Sequence, residues 1–156
     1  MSKNDLYFMK KAFLEAKKAF NKNEVPIGAV LVKGGEILSR GHNLCETKQN
    51  ATFHAEMVCI NKASAKIKNF RLSDCVLYTT LEPCLMCAGA LLLSRIKKIV
   101  YAASDLRHGA IESIYKVFEN PHPIHTPILQ KGPLAEESSA LLKEFFKIQR
   151  RKKNES

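Results

Sequence analysis

The sequence predicts an α/β fold of three layers (α/β/α), in which a mixed, roughly five-stranded sheet carries helices on both faces. Three observations support this prediction. Predicted strands alternate with predicted helices along the chain, which is typical of sheets that contain parallel strand pairs. The chain has 156 residues, of which 46% are hydrophobic and 26% charged, as in a globular domain with a substantial core. No low-complexity segment or internal repeat divides it, so we expect one domain over residues 1–156.

Four helices are predicted from apolar spacing and residue composition. Met9, Phe13, Ala16 and Phe20 follow one another at alternating steps of four and three residues, which places them on one face of an amphipathic helix. Pro83 is expected in the first turn of a later helix, because its fixed backbone angle suits that position. The predicted helices cover residues 4–21, 54–66, 83–93 and 134–151.

The predicted strands are short runs rich in β-branched and other apolar residues. Gly34 and Gly35 separate the first two runs and support a hairpin there. Pro121, Pro123 and Pro127 mark a loop before the last, short strand. The predicted strands cover residues 27–32, 36–40, 76–80 and 96–102, and the last lies near 128–129.

The chain is strongly basic, with 25 Lys and Arg against 15 Asp and Glu and a net charge of +10. This charge suits a polyanionic partner, either nucleic acid or an anionic membrane face. No segment approaches the ~20 apolar residues of a membrane helix, and the N-terminus lacks the apolar core of a signal peptide. We therefore expect a cytoplasmic protein with no membrane partner. Basic residues crowd both ends of the chain: Lys10, Lys11, Lys17, Lys18 and Lys22 near the start, and Lys147, Arg150, Arg151, Lys152 and Lys153 near the end.

Two short clusters carry the residue types of a catalytic metal site. His54-Ala55-Glu56 is followed, after a gap of 26 residues, by Pro83-Cys84-Leu85-Met86-Cys87. One imidazole and two thiolates can hold one zinc ion per subunit and leave its fourth position open for water, whereas structural zinc sites close with four protein ligands. Zinc lowers the pKa of its bound water to ~7, and Glu56 is close enough to reach that water without binding the metal. Both clusters fall at predicted helix starts, where free N–H groups favour the thiolate.

Other readings of the same residues stay open at this point. A CxxC pair by itself is most often a redox pair or half of a structural zinc knuckle. His42 or Cys45 could close the zinc site or form a second metal set. The chain has five cysteines, and we expect Cys45, Cys59 and Cys75 to be small buried residues in a reducing compartment.

With these residues placed, the chain resembles the bacterial tRNA-specific adenosine deaminases, members of the zinc-dependent cytidine and deoxycytidylate deaminase superfamily. The likeness covers nearly the whole chain and includes the H-x-E…P-C-x-x-C signature of zinc-dependent nucleobase deaminases. The matching segments are Glu24–Val30, Gly41–Asn43, Thr80–Ala90, Ala103–Asp105, Gly109–Ala110 and Phe145–Arg151.

The resemblance implies that a zinc-dependent hydrolytic enzyme converts the wobble adenosine of a tRNA anticodon stem-loop to inosine. His54, Cys84 and Cys87 are then the zinc ligands, and Glu56 is the catalytic proton carrier. The family forms homodimers, so a homodimer is implied as well. The resemblance assigns substrate contacts to Val25, Asn43 and Asp105, and nucleic-acid contacts to Arg107, Phe146, Arg150 and Arg151.

Several positions depart from the family pattern, and alternative functions remain. Phe53 stands where the family usually has a small residue, and Ala51 where it commonly has a proline. Ile124 stands in place of an asparagine and Ser104 in place of a basic residue, and these departures affect loop shapes and RNA contacts.

Alternative roles also remain. Asn43 could instead cap a turn after Gly41 and His42. The alternatives are deamination of a free base or nucleoside, such as guanine or cytosine, and an RNA-binding subunit of the same fold without catalysis. The presence of Glu56 argues against the non-catalytic subunit, because such a protein would be expected to lack the proton-carrying acid.

Overall fold

A computed structural model describes residues 3–155, which form a five-stranded sheet between two layers of helices. The sheet order is β2-β1-β3-β4-β5. The strands are β1 (Gly28–Lys33), β2 (Glu36–His42), β3 (Cys75–Leu81), β4 (Lys98–Ala103) and β5 (Ile128–Lys131). The helices are α1 (Lys3–Asn21), α2 (Cys45–Lys48), α3 (Ala55–Ile67), α4 (Leu85–Leu93) and α5 (Ala135–Glu155), and a 3₁₀ turn covers Val117–Glu119.

The sheet is mixed, as predicted. β1 pairs antiparallel with both β2 and β3, whereas β3, β4 and β5 run parallel to one another. The parallel pair β3–β4 is joined through α4, the helical crossover that parallel strands require. The carboxyl end of β3 therefore leads directly to the start of α4, where the Pro83–Cys87 cluster lies.

The helices cover both faces of the sheet, which confirms the predicted three layers. On one face, Met9 and Ala12 of α1 pack against Val30 and Val100. Helix α1 can approach β1 this closely because residue 28 is glycine, and a Cβ atom there would collide with the α1 backbone. Helix α5 lies on the same side, where Phe145 contacts Phe20 at 6.1 Å between ring centroids.

The other face carries α3 and α4. Ala55 and Cys59 of α3 and Leu91 of α4 join Leu77 and Ile99 of the sheet in the larger of the two hydrophobic clusters. These two helices therefore stand side by side on the sheet, and their N-termini bring the two metal-ligand clusters to one place.

One local prediction is wrong, and one short helix was not predicted. Pro83 was expected inside α4, but the helix begins at Leu85, because Cys84 adopts an extended conformation (φ −75°, ψ 176°) and acts as the N-cap. The short helix α2 was not predicted, because four residues are too few to show an apolar period. It is held by Glu24, whose buried carboxylate accepts hydrogen bonds from the N–H groups of Glu46 and Thr47.

The remaining cysteines fall largely as expected. Cys59 and Cys75 are buried, and Cys45 is half-buried with its Sγ atom 3.8 Å from the carbonyl oxygen of Ala51. Among residues 3–155, no helix is both long and apolar enough to cross a membrane.

Candidate active site

Three predicted metal ligands meet at the N-termini of α3 and α4. His54 is the N-cap of α3, Cys84 is the N-cap of α4, and Cys87 lies in the first turn of α4. The Nδ1 atom of His54 lies 3.5 Å from Sγ of Cys84 and 3.6 Å from Sγ of Cys87. The ring nitrogen that faces the sulfurs is therefore Nδ1.

The spacing of these three atoms suits a tetrahedral zinc ion. Zn–S and Zn–N bonds of about 2.3 and 2.0 Å at tetrahedral angles separate nitrogen from sulfur by about 3.5 Å. All three donor atoms lie within 4.8 Å of one another. No other His, Cys, Asp or Glu in the described part of the chain joins this group, so the protein offers three candidate ligands here.

The two residues considered as extra ligands are engaged elsewhere. Nδ1 of His42 lies 3.1 Å from Oε1 of Glu15, and its Nε2 lies 3.0 Å from Nζ of Lys22. The sulfur of Cys45 faces the carbonyl oxygen of Ala51. Within residues 3–155, neither a closed four-ligand site nor a second metal set is therefore formed by these side chains.

The cysteine pair favours one thiolate. The hydrogen bond with Cys87 lowers the pKa of Cys84 to about 4, against the opposing effect of burial, and His54 lowers it further. The bond to Cys84, together with burial, raises the pKa of Cys87. Hydrogen bonding to Cys84 also raises the pKa of His54. A thiolate at Cys84 is the form that binds a metal.

Glu56 stands beside the three ligands and is not one of them. It lies in the first turn of α3, and only 4% of its surface is exposed. Burial raises the pKa of its carboxyl, and the neighbouring His54 opposes this effect. A carboxyl with a raised pKa is suited to take up and return a proton near neutral pH.

Asn43 caps a helix instead of the turn considered for it, and it lies at the cavity. It is buried, and its Oδ1 accepts a hydrogen bond from the N–H of Ala55 at 2.9 Å, so it caps the start of α3. It also lines the cavity above the cysteine pair. Its Nδ2 makes no hydrogen bond to the residues described here, which leaves a donor for a ligand.

A cavity of about 980 Å³ opens above the metal ligands. Most of the residues singled out from the sequence line it: Val25, Asn43, His54, Glu56, Cys84, Asp105, Arg107, Phe146 and Arg150. Cys87 is buried beneath the cavity floor, and Arg151 is exposed outside the lining. Of the two adjacent aromatic residues, Phe145 is in the core and Phe146 is 42% exposed at the cavity.

Sequence reasoning missed other residues of the cavity wall. Leu106 and Tyr115 belong to the loop after β4, whose irregular backbone gives no periodic signal. Helix α5 contributes a whole face, and the three- and four-residue spacing of its members could have shown it. Besides Phe146 and Arg150, which the sequence had indicated, the α5 residues of this face are Ser139, Leu142, Lys143, Gln149 and Lys153.

The cavity combines a buried carboxyl with exposed cations. Glu56 is the buried carboxyl, and the exposed basic residues of the lining form what we call the basic rim: Arg107, Lys143, Arg150 and Lys153. A basic rim raises the local concentration of a polyanion and guides it towards the floor.

Comparisons with known proteins identify the family of the chain. The profile of the MafB19-like deaminase family matches residues 3–150. A tRNA-specific adenosine deaminase of Aquifex aeolicus is 48% identical over 141 residues, 90% of this chain and 93% of that protein. Another from Bacillus subtilis is 46% identical over 153 residues, 98% of this chain and 94% of that protein. A solved structure from a study of A-to-I editing by tRNA:A34 deaminases superposes with a TM-score of 0.84 at 39% identity, covering 87% of this chain and 99% of the other. The chain belongs to the MafB19-like deaminase family and, within it, to the group of tRNA-specific adenosine deaminases.

Proposed function

We propose that this protein is a zinc-dependent enzyme that deaminates the wobble adenosine of a tRNA anticodon loop to inosine. One observation carries the proposal: an imidazole and two thiols at metal-ligand spacing lie beside a buried carboxyl, Glu56, at the floor of a basic-rimmed cavity. The relatives named tRNA-specific adenosine deaminase match 90% and 98% of the chain, which supports this proposal.

In this proposal, His54, Cys84 and Cys87 hold one zinc ion per subunit. When bound, the ion is a Lewis acid that lowers the pKa of its water to about 7. Glu56 accepts the proton that the attacking water loses and delivers it to N1 of adenine as the C6–O bond forms. Glu56 then takes the proton of the new C6 hydroxyl and delivers it to the amino group, so that ammonia leaves as the C6–N bond breaks and the C6=O bond of inosine forms. The buried position of Glu56 keeps both transfers inside the site.

The cavity walls hold the nucleoside in this scheme. Asn43 keeps its Nδ2 free to donate to the nucleoside, and Val25 supplies an apolar wall. Asp105 accepts hydrogen bonds from the N–H groups of Arg107 and His108 through Oδ1, which leaves Oδ2 for a nucleotide next to the target. An anticodon loop already presents unstacked bases, so little energy is needed to bring the adenine into the cavity.

The RNA strand on either side of the target would follow the basic rim. Arg107 and Arg150 lie at the cavity and suit phosphate groups, and Arg151 extends the same charge along the outer surface of α5. Phe146 offers an exposed ring on which a neighbouring base can stack. A cytoplasmic location, where tRNA is available, accords with this function.

A homodimer is part of the proposal. Helix α4 presents apolar side chains to solvent, with Leu85 50% and Leu93 74% exposed. Exposed apolar residues on a helix next to the active site suit contact with a second copy of the chain.

The test is incubation of the zinc-loaded protein with an anticodon stem-loop that carries adenosine at the wobble position. We expect mass analysis to show replacement of one amino group by oxygen, and sequencing to place inosine at that position. A stem-loop with guanosine there, and free adenosine, guanine and cytidine, serve as comparison substrates. Turnover of a free base with none on the stem-loop would favour a base deaminase, and binding of the stem-loop without turnover would favour an RNA-binding subunit.

A further inference from the structure

Glu82 is a buried carboxylate that the proposed chemistry does not use. It lies two residues before Cys84, is only 2% exposed and is not among the metal-binding donors. Its two oxygens accept five hydrogen bonds from one segment, residues 104–115, which we call the rim loop. The donors are the N–H groups of Asp105 (3.0 Å), Ile111 (2.9 Å), Glu112 (2.8 Å) and Ser113 (3.1 Å), and the hydroxyl of Ser113 (2.5 Å).

We propose that Glu82 is a positioning residue whose carboxylate fixes the rim loop at the cavity and so presents Asp105 and Arg107 to the RNA. This inference rests on the proposed function for its substrate, although the fixing of the loop can be tested without it. Asp105, Leu106, Arg107 and His108 of this loop all line the cavity.

The hydrogen-bond pattern is specific for a carboxylate. Oε1 accepts from the N–H of Asp105 at the start of the loop and from the Ser113 hydroxyl near its end. Oε2 accepts from the three consecutive N–H groups of residues 111–113. A glutamine side chain has one acceptor oxygen, so its amide nitrogen would face N–H donors on one side. Buried donors that lose their acceptor are costly, and the loop would have to move.

The rim loop contains no helix or strand, apart from an isolated bridge between Gly109 and Cys84. Ala110 and Ile111 in its middle are buried in the core, and Glu112 forms an ion pair with Lys131 at 3.0 Å. Ala110 adds one backbone hydrogen bond to the carbonyl oxygen of Pro83 at 2.9 Å. Residue 109 must be glycine, because a Cβ atom would overlap the Glu82 carboxylate and the carbonyl oxygen of Asp105. Glu82 therefore stands at the centre of the contacts that give the loop its shape.

A loop that is ordered before binding loses less conformational entropy when the substrate arrives. Release of the rim loop should therefore weaken substrate binding more than it slows the chemical steps, which depend on Glu56 and the metal ligands. This split between binding and turnover distinguishes a positioning role from a general contribution to folding.

The experiment compares Glu82→Gln with the wild-type zinc enzyme on the stem-loop. We expect KM to rise about tenfold, kcat to stay within about threefold and zinc content to stay the same. In the free protein, the amide hydrogens of Asp105, Ile111, Glu112 and Ser113 should exchange with solvent faster than in the wild type, while amides of the sheet do not change.

Two further variants isolate the cause. Gly109→Ala crowds the Glu82 carboxylate without altering any charge, and we expect the same rise in KM and in rim-loop exchange. Asp5→Asn changes another buried carboxylate, which accepts hydrogen bonds from Tyr78 and Gln130 on the α1 side of the sheet. It should lower Tm but leave KM unchanged, because it does not touch the cavity.

The results separate the two proposals. If the wild type converts the stem-loop and Glu82→Gln keeps both its KM and slow rim-loop exchange, the positioning role is wrong. Loss of zinc from Glu82→Gln, or a fall in its kcat at constant KM, would instead indicate that Glu82 supports the metal centre. That result would also overturn the positioning role. If the wild type fails to convert the stem-loop, the proposed function fails, and exchange still decides whether Glu82 fixes the loop. Should Glu82→Gln not fold, Ser113→Ala removes one of the five donors and should raise KM about threefold.

Discussion

Nδ1 of His54 lies 3.5 Å from Sγ of Cys84, although 30 positions separate the two residues along the chain. Each is the N-cap of its own helix, and the two helices pack side by side on one face of the sheet. The contact therefore joins two helix starts, where free N–H groups and the helix dipole favour the thiolate that a metal needs. Removing either residue should therefore both release the metal and loosen the packing between α3 and α4.

Cys84→Ser tests this relationship. Serine keeps the shape of the side chain but lacks the thiolate. Loss of a residue that only supports a ligand lowers metal affinity about 10–100-fold, and loss of the ligand itself should lower zinc affinity further. Elemental analysis of the purified protein should show zinc well below one ion per chain, with a lower Tm. Cys75→Ser is the matched control, because Cys75 is a buried thiol outside the metal group, and it should retain zinc. Stoichiometric zinc in Cys84→Ser would exclude Cys84 as a ligand.

Glu56→Gln separates proton transfer from metal binding. Glutamine keeps the size of the side chain but cannot accept a proton, so the rate should fall by about 10²–10⁴ or more while zinc content and Tm change little. Single-turnover measurement on the stem-loop reports the chemical step directly. Turnover comparable to that of the wild type would refute the role of Glu56, and loss of zinc would place it among the ligands.

The sequence predicted the larger elements because their side chains follow a regular period. Met9 and Ala16, at helical spacing, do lie in the core beneath α1, and Leu77 marks a strand that is buried at the sheet centre. The start of α4 was misplaced because a proline suits the first turn as well as the position before a cap, and only the backbone of Cys84 decides between them. Helix α2 gave no signal, because Glu24 holds it from 22 residues away.

The candidate metal ligands could be picked out from the sequence, and the structure does bring them together, because metal binding restricts both residue type and spacing, as at His54 and Cys84. Asn43 could be interpreted in two ways, since only the fold shows that one side chain both caps α3 and lines the cavity. The cavity wall was the least predictable part. Tyr115 belongs to it through a loop whose path is set by Glu82, a contact that no local pattern can reveal.

Binding of the stem-loop should weaken steeply with salt, because the rim neutralises phosphates with Arg and Lys. Arg150→Ala should lower affinity and make the slope of log K against log salt shallower by about 0.7–0.9, the contribution of one phosphate contact. Fluorescence anisotropy with a labelled stem-loop over a salt series measures both. Lys66→Ala, an exposed residue outside the cavity lining, should alter neither. Affinity that stays constant between low and moderate salt would show that the basic rim does not contact the RNA.

Leu93→Glu tests the proposed homodimer. A carboxylate at this exposed position of α4 would be buried against the second copy, which is costly, so the dimer should dissociate to monomers. Light scattering after size-exclusion chromatography reports the mass in solution. Leu14→Glu changes another exposed leucine, on α1, and should leave the mass unchanged. A wild-type protein that is monomeric at micromolar concentration, or a dimer that tolerates Leu93→Glu, would contradict an interface on α4.

Glu24 should make the stability of the fold depend on pH. Although burial raises its pKa, hydrogen bonds from the hydroxyl and N–H of Thr47 and the N–H of Glu46 outweigh this effect and lower it. The folded pKa is then below the unfolded value of about 4.3, so the stabilisation is complete above that pH and is lost as pH falls through the folded pKa. Glu24→Gln should lower the free energy of unfolding by about 1–3 kcal/mol at pH 7.

Urea unfolding at a series of pH values measures this effect, and the difference between wild type and Glu24→Gln is the informative quantity, because loss of zinc in acid affects both proteins. That difference should be constant from pH 7 to about 5 and should shrink below about pH 4.3, as the wild-type carboxylate takes up its proton. Glu36→Gln, at an exposed position of β2, should change the free energy of unfolding by less than about 0.5 kcal/mol at any pH. A difference that persists undiminished to pH 3 would mean that Glu24 holds α2 by its shape and not by its charge.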